Sequence, residues 1–140
     1  MPNVVFDTVV FVRSLINPHS IWGKLVYSYK EHYVLYLSLP VIKEILEVIE
    51  RPKLKQKYHT TKDHGIREVL QILSHARLVD IDDIPPLSRD TKDDKFLATA
   101  KVADADYLVS EDQDLLTLKE YKGTQIVNTE TFLQILEGKR

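Results

Sequence analysis

Carboxylates stand in this 140-residue chain where strands end and helices begin. Acids gathered at such points can hold a hard divalent cation against an anionic substrate. The densest stretch runs from Asp90-Thr-Lys-Asp-Asp-Lys-Phe-Leu-Ala-Thr-Ala into Ala105-Asp-Tyr-Leu-Val-Ser-Glu-Asp-Gln-Asp-Leu-Leu. From Asp93 the apolar positions Phe96, Leu97, Ala100 and Ala103 recur at helical spacing, which predicts an amphipathic helix with Asp93 on its buried stripe. Asp94 is turned by about 100° from it, toward Ala98 and Lys101. Tyr107-Leu-Val reads as a buried parallel strand, and Ser110-Glu-Asp112-Gln-Asp114 follows at its carboxyl end, where open α/β sheets form their sites. Each acid also has a structural reading: Asp90 or Thr91 as an N-cap, Asp93 or Asp94 as the third-position acid of a capping box, Asp112 or Asp114 as the opening of the next helix.

Two further acids are aimed at the same place. Asn3-Val-Val-Phe-Asp7 predicts the first and central strand with Asp7 at its carboxyl end, or as the N-cap of the segment beginning at Thr8. Pro40 suits the first turn of a helix running to about Glu50, with Ile42, Ile45, Leu46 and Ile49 as its core stripe. On that helix Glu47 and Glu50 lie opposite the apolar arc, whereas Glu44 borders it beside Val41 and Val48. Glu44 can therefore look inward across the end of the sheet, or sit at the boundary paired with a lysine.

The elements that must position these acids follow from the rest of the chain. Asn17-Pro-His-Ser is a loop, and Ile21, Trp22, Leu25, Val26 and Tyr29 predict a helix. Residues 33–37 predict a second strand, and 51–61 a basic turn or short surface helix. Residues 62–75 predict a helix with Ile66, Val69, Leu70 and Leu73 as its stripe, and 78–81 a third strand. Residues 82–89, with Pro85-Pro86, form a rigid connection into the acidic helix. Residues 124–127 predict the last strand, and 129–136 a closing helix capped by Gly138. Strands alternating with helices predict an α/β fold with a parallel sheet covered on both faces, in a single domain spanning 1–140.

Bulk properties narrow the partners. With 44% hydrophobic and 29% charged residues the chain has material for one core. It has no cysteine, so disulfides and thiolate metal sites are excluded, and the five histidines lack zinc-ligand spacing. The first apolar run, from Val4 to Val12, is broken by Asp7 and has no basic leader, so a soluble cytoplasmic protein is the expectation. The net charge is −2, but it is unevenly spread. Between residues 51 and 67 six bases face one acid, a balance of +5, and between 80 and 94 six acids face two bases, a balance of −4. An acidic centre beside a basic flank suits a metal-dependent enzyme acting on a polyanion. Arg51, Lys53, Lys55 and Lys57 are accordingly expected to approach the backbone of such a polyanion.

The motifs Val5-Phe-Asp-Thr, Ser38-Leu-Pro-Val-Ile-Lys-Glu44, Asp93-Asp-Lys-Phe-Leu-Ala-Thr-Ala and Tyr107-Leu-Val-Ser-Glu-Asp112-Gln-Asp-Leu-Leu, in this order, resemble the PIN-domain ribonucleases over nearly the whole chain. They are most similar to the VapC-like toxin components of type II toxin–antitoxin pairs. The resemblance implies a three-layer α/β/α sandwich with a mainly parallel sheet, and a nuclease dependent on Mg²⁺ or Mn²⁺ that hydrolyses RNA phosphodiester bonds. It also implies a cognate antitoxin and a homodimer. Asp7, Glu44, Asp93 and Asp112 take the family's four acidic positions, with Asp7 and Asp93 as direct ligands and Glu44 and Asp112 serving a second metal, bound waters or the nucleophile. Thr8, Ser110, Asp94 and Asp114 support them. Val9 stands where the family often carries asparagine. The alternative is a PIN-like module that binds RNA or protein without cutting. A haloacid-dehalogenase-like phosphatase would need a second aspartate at position 9, and a receiver domain would need paired acids at Asp7.

Overall fold

The structure, a computed structural model, describes residues 1–58, 65–81 and 93–138. Its centre is β1 (Asn3–Phe6), in which Val4, Val5 and Phe6 are all fully buried. Because successive strand side chains point to opposite faces, burial of all three means that the sheet is covered on both sides. On one side β1 pairs in parallel with β2 (Val34–Leu37), which pairs in parallel with β3 (Arg77–Leu78). On the other it pairs with β4 (Tyr107–Val109), followed by β6 (Thr124–Val127), also parallel, and by β5 (Glu120–Tyr121), antiparallel. The order β3-β2-β1-β4-β6-β5 builds outward from β1 in one direction and then returns to its other flank with β4. The carboxyl ends of β1 and β4 are thus the point at which the winding reverses, where open α/β sheets leave a crevice.

Helix α1 (Thr8–Ile16) begins directly after β1, with Asp7 as its N-cap. The predicted helix at 21–29 is instead α2 (Ile21–Gly23) running into a π-helical turn at Lys24–Ser28. Widening the turn lets the three consecutive residues Leu25, Val26 and Tyr27 all be buried, which a single amphipathic stripe does not provide. Gly23 is obligatory on steric grounds, since a Cβ there would fall 1.9 Å from the Pro18 carbonyl oxygen.

Helix α3 (Leu39–Ile49) has Pro40 in its first turn as predicted, but its face is rotated. Val41, Ile45 and Ile49 are fully buried, Ile42 is half-buried and Leu46 is exposed, so the stripe turns toward the side on which Glu44 lies. The basic segment forms α4 (Pro52–Tyr58). In α5 (Ile66–His75) the buried residues are Val69, Ile72 and Leu73, with Leu70 exposed. The third strand, predicted at 78–81, is instead the two residues Arg77–Leu78, the outermost strand on this side among the described residues, paired with β2. The expectations placed on residues 59–64 and 82–92, including the Pro85-Pro86 connection and the caps at Asp90 and Thr91, lie outside the described residues.

Helix α6 (Asp94–Ala103) buries Phe96, Leu97, Ala100 and Ala103 as its periodicity requires, and Ala98 and Thr99 as well. It packs on β1, β2 and β4 and touches α3, and it leaves Lys101 and Val102 exposed in its last turn. Helix α7 (Gln113–Leu118) follows β4, and a two-residue hairpin turn at Lys122 (φ 51°) and Gly123 (φ 89°) joins β5 to β6. Helix α8 (Thr129–Leu136) is N-capped by Asn128 and closed by Gly138 at φ 75°. The Phe6 ring lies 5.8 Å from Phe11, 5.1 Å from Tyr33 and 6.3 Å from Phe132, an aromatic core that holds β1 against α1 and α8. No helix among the described residues is long and apolar enough to cross a membrane.

Candidate active site

The pairing of Phe6 with Val109 sets the register at the winding reversal, and the next residue on each strand carries the first functional side chains. The Asp7 amide donates to the Val109 carbonyl at 3.0 Å, and the Ser110 amide donates to the Val127 carbonyl at 3.0 Å, so both ladders continue one step past the strands. Ser110 Oγ then donates to Asp7 Oδ2 and accepts from the Asp112 amide at 2.9 Å. Asp7 also accepts from the amides of Val10 (3.3 Å, to Oδ1) and Glu111 (3.4 Å, to Oδ2). The helix-cap reading of Asp7 is thus realised, and the same carboxylate also takes the Ser110 hydroxyl and the Glu111 amide. Burial pushes its pKa up from 3.8 to about 6, against the opposing pull of the hydrogen bonds from Ser110, Val10 and Glu111. Desolvation is the main cause of the rise, and like-charge repulsion, from Glu111, is the smallest.

Asp93, Asp112 and Asp114 bring a carboxylate oxygen each to within 4.8 Å of one another. Asp93 is the N-cap of α6 and buried, Asp112 is the half-buried N-cap of α7, and Asp114 is exposed in the first turn of α7. The Asp112 carboxylate accepts from the Asp114 amide at 2.8 Å, which fixes the turn carrying both. The Oδ2 of Asp93 is fully buried, and no hydrogen bond from the described residues reaches that atom. Three carboxylates from two helix starts are a hard-oxygen donor set of the kind that suits Mg²⁺ or Mn²⁺. Of the four predicted principal acids, Asp93 and Asp112 belong to this group together with Asp114, which had been assigned a supporting part. Asp7 is linked to the group through Ser110 and the Asp112 amide.

Asp94 was expected to face away, yet it is as buried as Asp93, each 6% exposed. The start of its stripe is covered as far as Ala98, while Lys101, further along it, is exposed. Its proposed capping partner, Thr91, lies outside the described residues.

Glu44 is half-buried and fully engaged. Its Oε2 accepts from the hydroxyl of the buried Thr8, and its Oε1 accepts from Lys95 Nζ at 2.6 Å. The inward placement and the lysine pairing, set out as alternatives from the sequence, are both realised. Lys95 is the residue that sequence reasoning missed. Its only signal was a lysine in the first turn of a helix, directly after two aspartates.

On the basic flank, Arg51 lies 3.8 Å from Glu47 and Lys55 lies 2.7 Å from Glu50, so the outer acids of α3 offset part of the charge of α4. Arg51, Lys53 and Lys57 are exposed and Lys55 is half-buried. Val9, in the first turn of α1, is 37% exposed.

Residues 3–114 match the PIN domain family. The chain is 31% identical over 118 residues to the uncharacterized protein MJ1680 of Methanocaldococcus jannaschii, covering 84% of this chain and 75% of that protein. Among solved structures it resembles a chain of VapBC2 from Rickettsia felis bound to a DNA fragment from their promoter, with a TM-score of 0.57 and 15% identity over 90% of this chain and 98% of that one. At that identity the likeness bears on fold, and it agrees with the six-stranded, mainly parallel sheet. With the family matched across β1, the acidic helix and the start of α7, this chain belongs to the PIN domain family.

Proposed function

We propose that the chain is a divalent-metal-dependent ribonuclease, the toxin of a toxin–antitoxin pair. The observation that carries this reading is the meeting of Asp93, Asp112 and Asp114 beside the Asp7–Ser110 contact, where the sheet reverses its winding. A crowded set of carboxylates repels phosphate unless a cation intervenes, so a surface that only bound RNA would have no use for it.

Asp93, Asp112 and Asp114 are the residues that would hold Mg²⁺ or Mn²⁺, with Asp7 at the inner wall. When bound, the ion supplies charge neutralisation, an activated water and stabilisation of the leaving oxygen. The chain's own groups do the rest. Ser110 holds Asp7 and the Asp112 amide in one arrangement, so β1 and the β4–α7 loop cannot shift independently. The Asp112 carboxylate orders the first turn of α7 and with it Asp114. Arg51, Lys53, Lys55 and Lys57 supply positive charge for the RNA backbone, and exposed apolar residues such as Leu39 and Leu78, each 61% exposed, are material for a homodimer or antitoxin contact.

The non-catalytic alternative is favoured only by Val9, which puts an apolar side chain where the family often has an amide. Labelled RNA incubated with the chain and Mn²⁺, with and without chelator, separates the two. Shortened RNA that disappears on chelation supports the nuclease, and retarded but intact RNA supports the binder.

A further inference from the structure

A positive charge that belongs to the chain stands beside the carboxylates. Lys95 Nζ lies 2.6 Å from Glu44 Oε1, and the two side chains are only 24% and 27% exposed. The other Glu44 oxygen is taken by Thr8, the residue directly after Asp7, while Lys95 comes two residues after Asp93. Glu44 thus spends both oxygens on protein donors and lies outside the group formed by Asp93, Asp112 and Asp114. The position of Lys95 is not explained by helix formation. It occupies the first turn of α6, where the helix dipole disfavours a cation. A fully exposed ion pair would contribute little, but this one is half-sheltered and joins α3 to α6.

Resting on the metal-dependent reading of the site, we propose that Lys95 is its fixed cation, an ammonium in the place where a second divalent ion would need Glu44. Glu44 is then a positioning residue that holds Lys95, and the chain takes up a single exchangeable ion. An ammonium has three donors, so the one given to Glu44 leaves capacity for a non-bridging phosphate oxygen. Lys95 touches the substrate phosphate, and Glu44 acts through Lys95.

The test is Mn²⁺ uptake by the full chain, followed by equilibrium dialysis and Mn²⁺ spectroscopy, with thermal melts to verify folding. Wild type and Glu44→Gln are expected to bind one ion per chain with affinities within about threefold of each other. Lys95→Met, which uncovers Glu44, is expected to take up a second ion, and adding Glu44→Gln to it restores single occupancy. At saturating Mn²⁺, Lys95→Met is expected to lower RNA cleavage by about tenfold or more, with Lys95→Arg retaining most of it. Should wild type bind two ions, one of them lost in Glu44→Gln, the inference is overturned while the carboxylate site stands. Uptake of no ion by wild type removes both. If Lys95→Met does not fold, the comparison of wild type with Glu44→Gln decides alone.

Discussion

Asp7 carries an energetic signature of its own. Its folded pKa of about 6 lies above its ordinary 3.8, so the folded chain binds a proton more readily than the unfolded chain. The associated stability is fully present below about pH 4 and is lost as pH rises through about 6, a difference of about 3 kcal/mol for a buried group shifted this far. Asp7→Asn removes the charge while keeping an acceptor for the Val10 amide. In metal-free buffer the variant should gain on wild type between pH 5 and pH 8 in urea melts, whereas a gap independent of pH would contradict the assignment. The adjacent acids Asp93 and Asp94 are equally buried but differ in company. Asp93 shares the carboxylate group and Asp94 does not. Asp93→Asn should therefore abolish cleavage with little loss of stability, and Asp94→Asn should keep most cleavage and cost about 1 kcal/mol in the first turn of α6. Activity assays and melts on the pair check this, and the reverse pattern would mean that the wrong acid has been placed in the site. Asp7, Asp93, Asp112 and Ser110 could be picked out from the sequence because each sits where a strand ends or a helix starts. Asp114 was undervalued because no pattern reports the distance between a capping residue and its own first turn. Lys95 was missed because a lysine at a helix start ordinarily reads as solvated.

At the scale of elements, periodicity located most of the helices but misjudged the faces of two. In α3 and α5 the exposed leucines, Leu46 and Leu70, are indistinguishable in type from buried ones, and only the neighbours decide which side of the apolar arc turns inward. The π-helical turn and the β5–β6 hairpin escaped for different reasons: one depends on packing against the core, the other on a Lys-Gly turn with no apolar alternation around it. Gly23 offers a direct test of the α1–α2 connection. With Pro18 already occupying the space of a Cβ, Gly23→Ala should force a backbone shift costing about 2 kcal/mol or more. Unchanged stability in a urea melt would show that the loop does not approach as described. On α4, replacing Lys53, Lys55 and Lys57 together with alanine should weaken RNA binding and flatten its dependence on salt, since phosphate contacts release counterions. An unchanged slope would mean that α4 presents only a solvated face.

For the whole molecule, strand order joins sequence to chemistry. Alternating strands and helices make a parallel sheet legible, but which strand returns beside β1 is not written in any local pattern. That return puts the loop after β4 against the residue after β1, and so turns acids about a hundred residues apart into neighbours. A site built this way exists only in the folded chain, so an ion that binds it stabilises the fold by mass action and should raise the melting temperature with Mn²⁺ concentration. These carboxylates are proposed to form a metal-dependent nuclease centre. Its most direct test is the cleavage of labelled RNA by wild type and Asp93→Asn across a Mn²⁺ titration. Wild-type cleavage should rise with Mn²⁺ to saturation, and the variant should stay at background throughout. Equal cleavage by the two proteins, or wild-type cleavage that persists without the ion, would contradict that proposal.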